Sequence, residues 1–171
     1  ALGLPVLVAL IVIALAFDFM NGLHDAANSI ATVVATRVLR PQTAVLWAAF
    51  FNFIAFAVFG LHVAQTVGTG IVAPGIVDGA VIFGALVGAI AWNVITWRLG
   101  IPSSSSHALI GGLAGAGIAK AGLSAVVVKG LAITAAGIVV SPLLGFVLAQ
   151  LLVLVVSWTQ RRRSPFTVDR R

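Results

Sequence analysis

The stretch LGLPVLVALIVIALAFDFMNGLHDAANS, residues 2–29, decides the fold. Leu2 to Phe17 is an unbroken apolar run, and a bilayer core of about 30 Å needs roughly 20 such residues in a helix. Asp18, Asn21, His24, Asp25 and Asn28 follow with no linker between. Working outward, the whole chain repeats this character. Its 171 residues are 61% hydrophobic and 8% charged, with a mean hydropathy of +1.17. A soluble domain carries about 25% charged residues. A water-soluble globule of this size has nowhere to hide so much apolar surface, so the composition excludes a cytosolic enzyme, a disordered chain and a nucleic-acid-binding domain. The chain is expected to be an all-α, polytopic membrane helical bundle.

Charge-free runs outline the spans. Leu2–Phe17 is the first; it lacks the basic start of a cleavable leader. A small-residue helix then runs to about Val38. Thr43–Val63 is the next span, Gln65–Asp78 a Gly-rich loop, and Gly79–Trp97 a further span. Ile101-Pro102 opens a serine-rich turn that leads into a Gly/Ala-rich helix ending near Ala119. The 31 uncharged residues from Gly130 to Gln160 exceed one span, and Ser141-Pro142 is the expected break into two helices. Residues 1–160 thus read as one transmembrane domain and 161–171 as a basic tail or linker.

Charge placement is consistent with spans rather than with nucleic acid. The net charge is +6, and five of the ten basic residues fall in the last eleven positions. The others, Arg37, Arg40, Arg98, Lys120 and Lys129, punctuate apolar runs as cationic flanks do. All of them fall on the cytoplasmic side if Pro102–Ala119 dips into the membrane and returns, leaving Asp78 outside. The chain has no cysteine, which excludes disulfides, Cys-ligated zinc and thiol catalysis.

Polar residues inside such segments are costly, about 2.5–3.5 kcal/mol for a charge at mid-membrane, and therefore mark function. Asn21, Asp25 and Asn28 share one helical face through spacings of four and three. With backbone carbonyls unwound near Gly22, they would offer hard oxygens to Na⁺ or a proton; the competing reading is an interfacial cap. Ser103, Ser104, Ser105, Ser106 and His107 follow Pro102 at a helix start. There the helix dipole, free amides and hydroxyls would bind an oxyanion without a fixed cation. A single serine would be only an N-cap. Asn93, with Thr96 on its face, and Asn52 suit either ligation or interhelical hydrogen bonding. His62 reads as interfacial. The glycines of residues 111–117 favour close helix packing rather than a nucleotide loop.

The stretch Gly22-Leu23-His24-Asp25-Ala26-Ala27-Asn28-Ser29, followed by Ala31-Thr32, resembles the signature of the inorganic phosphate transporter family. Pro102–His107 with Leu109-Ile110-Gly111 resembles that family's second motif, and Val140-Ser141-Pro142 also fits. The resemblance implies a secondary transporter of two inverted repeats, with broken or re-entrant helices and substrate near the midplane. This chain carries one copy of the repeat, and Ser164–Arg170 resembles the linker to the second half. The chain therefore reads as the first repeat, or as a half-transporter pairing with a second subunit. The resemblance further implies inorganic phosphate bound by Ser103, Ser104, Ser105, Ser106, His107 and Asp25. Asn21, Asp25, Asn28 and Asn93 would hold the coupling ion, H⁺ or Na⁺, with a Na⁺ site at Asp25 and Asn28. Family members of eukaryotes carry a glutamate where Asn52 lies. No cofactor and no nucleic-acid partner are expected, membrane lipid is, and the bacterial inner membrane is the expected location.

Three alternatives remain. Sulfate has the same shape as phosphate but no hydrogen to donate, so a site telling them apart needs an acceptor, for which Asp25 is the candidate. An intramembrane serine hydrolase has the residue types in Ser, His107 and Asp25 but lacks the Gly-x-Ser-x-Gly elbow. A purely structural subunit would tolerate Asp25→Asn and Ser105→Ala.

Overall fold

The computed structural model describes residues 3–59 and 70–161. Five α-helices follow in order: α1 (Leu4–Ala35), α2 (Pro41–Phe59), α3 (Gly79–Leu99), α4 (Ser105–Ala121) and α5 (Val128–Gln160), with a short 3₁₀ turn at Leu123–Ala125. Four of them, all but the 17-residue α4, are long and apolar enough to cross a membrane. The chain divides into two compact units, one through Val128 and one from Lys129 onward. His62 and nearly all of the basic tail lie outside the described residues.

In the first unit α3 packs most extensively on α4, and α1 packs on α3 and α2. Small residues set the α3–α4 spacing. A Cβ on Gly112 would stand 2.5 Å from the Ala85 carbonyl oxygen, and one on Gly84 would stand 3.3 Å from the Ala116 methyl. Such backbone approach suits helices in lipid, where dispersion and close fit replace the hydrophobic drive. Phe17, Leu86 and Ala89 form a small core where α1 meets this pair, with Ile13, Ala14, Ala108 and Leu109 around it.

α3 and α4 form a hairpin tied at both ends. At its tip, Gly100 ends α3 with φ of 64°, the left-handed conformation that favours glycine, and residues 101–104 turn the chain. At its base, Val72 bridges Val126, with Ala73 N–H donating to the Ala125 carbonyl and Val127 N–H to that of Ile71, both at 2.9 Å. Asp78 caps α3 by accepting from Val81 N–H at 3.0 Å, and Lys120 meets Asp78 at 2.6 Å while donating to the Ile76 carbonyl at 2.8 Å. Asp78 and Lys120 are half-exposed; the Lys120 bond, followed by that of the Val81 amide, holds the Asp78 carboxyl below its usual range.

Three expectations are corrected here. α1 runs unbroken through Gly22, so no backbone carbonyls are released there. α5 likewise passes through Pro142 as one helix. Both follow from the same cause: in an apolar medium the helix is what satisfies backbone polar groups, and one proline or glycine is cheaper than an opened turn. At about 1.5 Å per residue these helices run roughly 48–50 Å, longer than a bilayer core, which tilt or overhang absorbs. Finally, the chain reverses at the serine turn and not within Pro102–Ala119. Lys120 therefore sits beside Asp78, at the opposite end of α3 from Arg98, and the arrangement that grouped Lys120 with Arg98 fails.

Candidate functional site

The hairpin tip packs against the polar stretch of α1. Ser105, 1% exposed at the first turn of α4, donates its hydroxyl to Asn21 Oδ1. This bond fixes the tip beside a cavity of about 570 Å³. His24, Asp25 and Asn28 of α1 line one side. Thr96, Trp97, Gly100, Ile101, Pro102, Ser103 and Ser104 of the hairpin line the other. The helix-face spacing of Asp25 and Asn28 survives because α1 is regular, and the reversal at Gly100 brings the serines to meet them.

The four serines do different things. Ser103 accepts from the Trp92 indole N–H at 2.9 Å. Ser104 is the N-cap of α4 and accepts from His107 N–H at 3.4 Å. Ser105 is buried against Asn21, and Ser106 is exposed. The amides of Ser105 and Ser106, in the first turn of α4, have no intrahelical acceptor, but neither residue is among those lining the cavity. Chemically, one wall offers hydroxyl donors and the other a carboxylate and a carboxamide.

On the other side of α1, Asp18, Asn21, Asp25, Asn28 and Ser29 line a groove closed by Val45, Ala48, Ala49 and Asn52 of α2. Asp25 and Asn28 thus belong to both spaces. Asp18 is the residue the motif reading missed; its spacing of three and seven from Asn21 and Asp25 was the available signal. His24 carried no assigned role, yet it lines the cavity. Its Nδ1 donates to the Met20 carbonyl at 3.1 Å, and its buried Nε2 has no partner among the described residues.

Two candidates stand elsewhere. His107 is exposed and lines a smaller pocket with Trp92 and Gly112, which Asp25 does not line but which shares Ser103 and Ser104 with the cavity. Asn93 is 1% exposed, with no partner for Nδ2 among the described residues, in the buried stripe of α3 one turn before Thr96. It is not among the residues lining the cavity. No cluster of three or more His, Cys, Asp or Glu residues with metal-binding geometry occurs among the described residues.

The fold and site define a polytopic helical membrane protein in which an acid–amide face of α1 meets a serine-tipped hairpin. The match is specific: the model of the phosphate transporter family aligns with residues 21–170, and the chain belongs to that family. A probable low-affinity inorganic phosphate transporter of Rhizobium meliloti is 70% identical over 98% of this chain and 50% of its own length. One of Streptomyces halstedii, so named too, is 47% identical over 100% of this chain and 80% of its own. A solved structure titled the sodium-dependent phosphate transporter superposes with a TM-score of 0.84 at 30% identity, covering 95% of this chain and 42% of that one. The chain spans about half the length of the Rhizobium relative and of the solved transporter. These relatives are transporters and not enzymes, and the serine hydrolase alternative falls with that finding. The protein is an integral membrane protein.

Proposed function

We propose that this chain forms one half of a secondary transporter that moves inorganic phosphate across the bacterial inner membrane, coupled to H⁺ or Na⁺. The observation that carries the proposal is the single cavity lined by Asp25 and Asn28 on one side and Ser103 and Ser104 on the other. Phosphate would take hydrogen bonds from the two hydroxyls, beside the positive end of the α4 dipole. The coupling ion would sit at Asp25 and Asn28, which also face the groove toward Asn52. A cation there offsets the repulsion between the Asp25 carboxylate and an anion in the adjoining cavity, which makes the two binding events cooperative. The bacterial relatives support the location, and the sodium-dependent neighbour supports Na⁺ as the ion. The second half of the site would come from a second repeat or subunit, as the half-length match supports.

The test is radiolabelled phosphate uptake into proteoliposomes under separately imposed proton and sodium gradients, with sulfate as competitor. Gradient-driven uptake that unlabelled phosphate suppresses and sulfate does not is the expected result. Asp25→Asn should reduce it tenfold or more and weaken the preference over sulfate. Full uptake and unchanged selectivity in that variant would remove Asp25 from the site.

A further inference from the structure

Ser103 has a hydrogen-bonding constraint that its neighbours in the serine run lack. The Trp92 indole N–H lies 2.9 Å from Ser103 Oγ. An indole N–H only donates, so Ser103 Oγ is the acceptor of this bond. The Ser103 hydroxyl hydrogen must then point along another direction, and it has no acceptor among the described residues. Ser103 lines both the cavity that Asp25 and Asn28 face and the smaller pocket beside Trp92 and His107; an anion in the cavity is an acceptor within its reach. Ser105 differs, because its hydrogen is already engaged by Asn21.

We propose that Trp92 is a positioning residue for anion binding: its indole N–H orients the Ser103 hydroxyl to donate into the cavity. This rests on the phosphate reading above and deepens it. Two effects act together. Accepting from the indole polarises the Ser103 hydroxyl, strengthening the bond it donates by about 10–30%. Holding Oγ also removes rotamer freedom that binding would otherwise have to freeze. The indole is well placed for this, since Trp92 lies on α3, eleven residues before Ser103 and on the far side of the Gly100 reversal. Thr96 Oγ1 donates to the Trp92 carbonyl at 2.9 Å, one turn along the same helix. The contact therefore ties the tip to the rigid body of the hairpin.

The experiment uses the protein as its gene encodes it, in proteoliposomes, with inorganic phosphate as the probe. Trp92→Phe keeps an aromatic ring and removes the N–H. It should raise the KM for phosphate about three- to tenfold and leave the maximal rate within twofold. In a Ser103→Ala background the same substitution should shift KM less than twofold, because the hydroxyl it orients is gone. An unchanged KM in Trp92→Phe, or an equal shift with and without Ser103, overturns the role. A wild-type protein that takes up no phosphate overturns the transport reading itself, and this role with it. The wild-type protein also supplies a test that needs no variant of Trp92. With its tryptophans labelled with ¹⁵N at the indole nitrogen, the N–H signal displaced by Ser103→Ala identifies Trp92. Phosphate should move that signal in the wild type, and a signal indifferent to phosphate contradicts the proposal.

Discussion

Ser105 and Asn21 are 84 positions apart in sequence, and their hydrogen bond joins the two motifs into one site. Removing the hydroxyl while keeping the half-buried amide leaves Asn21 Oδ1 without its protein partner, a loss toward the lower end of about 1–3 kcal/mol. Ser105→Ala should therefore lower the thermal unfolding temperature in detergent. Ser106→Ala, at an exposed position, should leave it unchanged. Combined with Asn21→Ala, the Ser105 substitution should cost much less than it does alone, since its partner is already gone. The sequence marked the right neighbourhood, because a run of four hydroxyls after Pro102 is unusual. It could not rank the four. Their roles depend on Trp92, His107 and Asn21, and only the fold brings Trp92 and Asn21 within reach. His107 shows the converse: next to the serines in the chain, it reaches only the smaller pocket, while Ser103 and Ser104 line both spaces.

The hairpin is the element that places the serines, and its fit is set by glycine at one point. In Gly112→Ala the new methyl would meet the Ala85 carbonyl oxygen at 2.5 Å, and backbone cannot yield as a side chain can. That variant should lose folded protein on size-exclusion chromatography. Gly115→Ala on the same helix, with nothing within 4 Å of its Cβ, should behave as the wild type. The base of the hairpin responds to acid instead. Because the Asp78 pKa is depressed in the folded protein, the Asp78–Lys120 contact stabilises above the carboxyl's ordinary value of 3.8 and fades as the pH falls through the lower folded value. Asp78→Asn should unfold at a lower temperature than the wild type at pH 7. The difference should shrink as the pH drops below 3.8. Apolar run length located α3 and the start of α2 to within a few residues, but split α1 and α5 in two. The interruptions were misread, since Gly22 and Pro142 signal breaks in water and are absorbed by a helix in an apolar medium. The hairpin's return was misread as well. Charge counting has no way to see that Lys120 finds Asp78 across the pair.

At the scale of the molecule, the apolar surface is turned outward: α5 buries none of its residues, and Trp47, Phe50, Phe53 and Phe56 of α2 are exposed. Composition alone foretold this, because 61% hydrophobic residues in 171 cannot be enclosed. Half of the length of the Rhizobium relative lies beyond what this chain matches. The central claim is that this cavity is where phosphate binds. These 171 residues contain no cysteine, so a thiol introduced here, in a background with any other cysteine replaced, allows a direct test. Ile101→Cys places one in the cavity lining at an exposed residue, and Leu123→Cys places one at the far end of the hairpin. The measurement is the rate of labelling by a small charged thiol reagent, with and without phosphate, in the whole protein in membranes. The account predicts that phosphate slows labelling at residue 101 severalfold, that sulfate does not, and that residue 123 is indifferent to both. Equal rates at residue 101 with and without phosphate would contradict it.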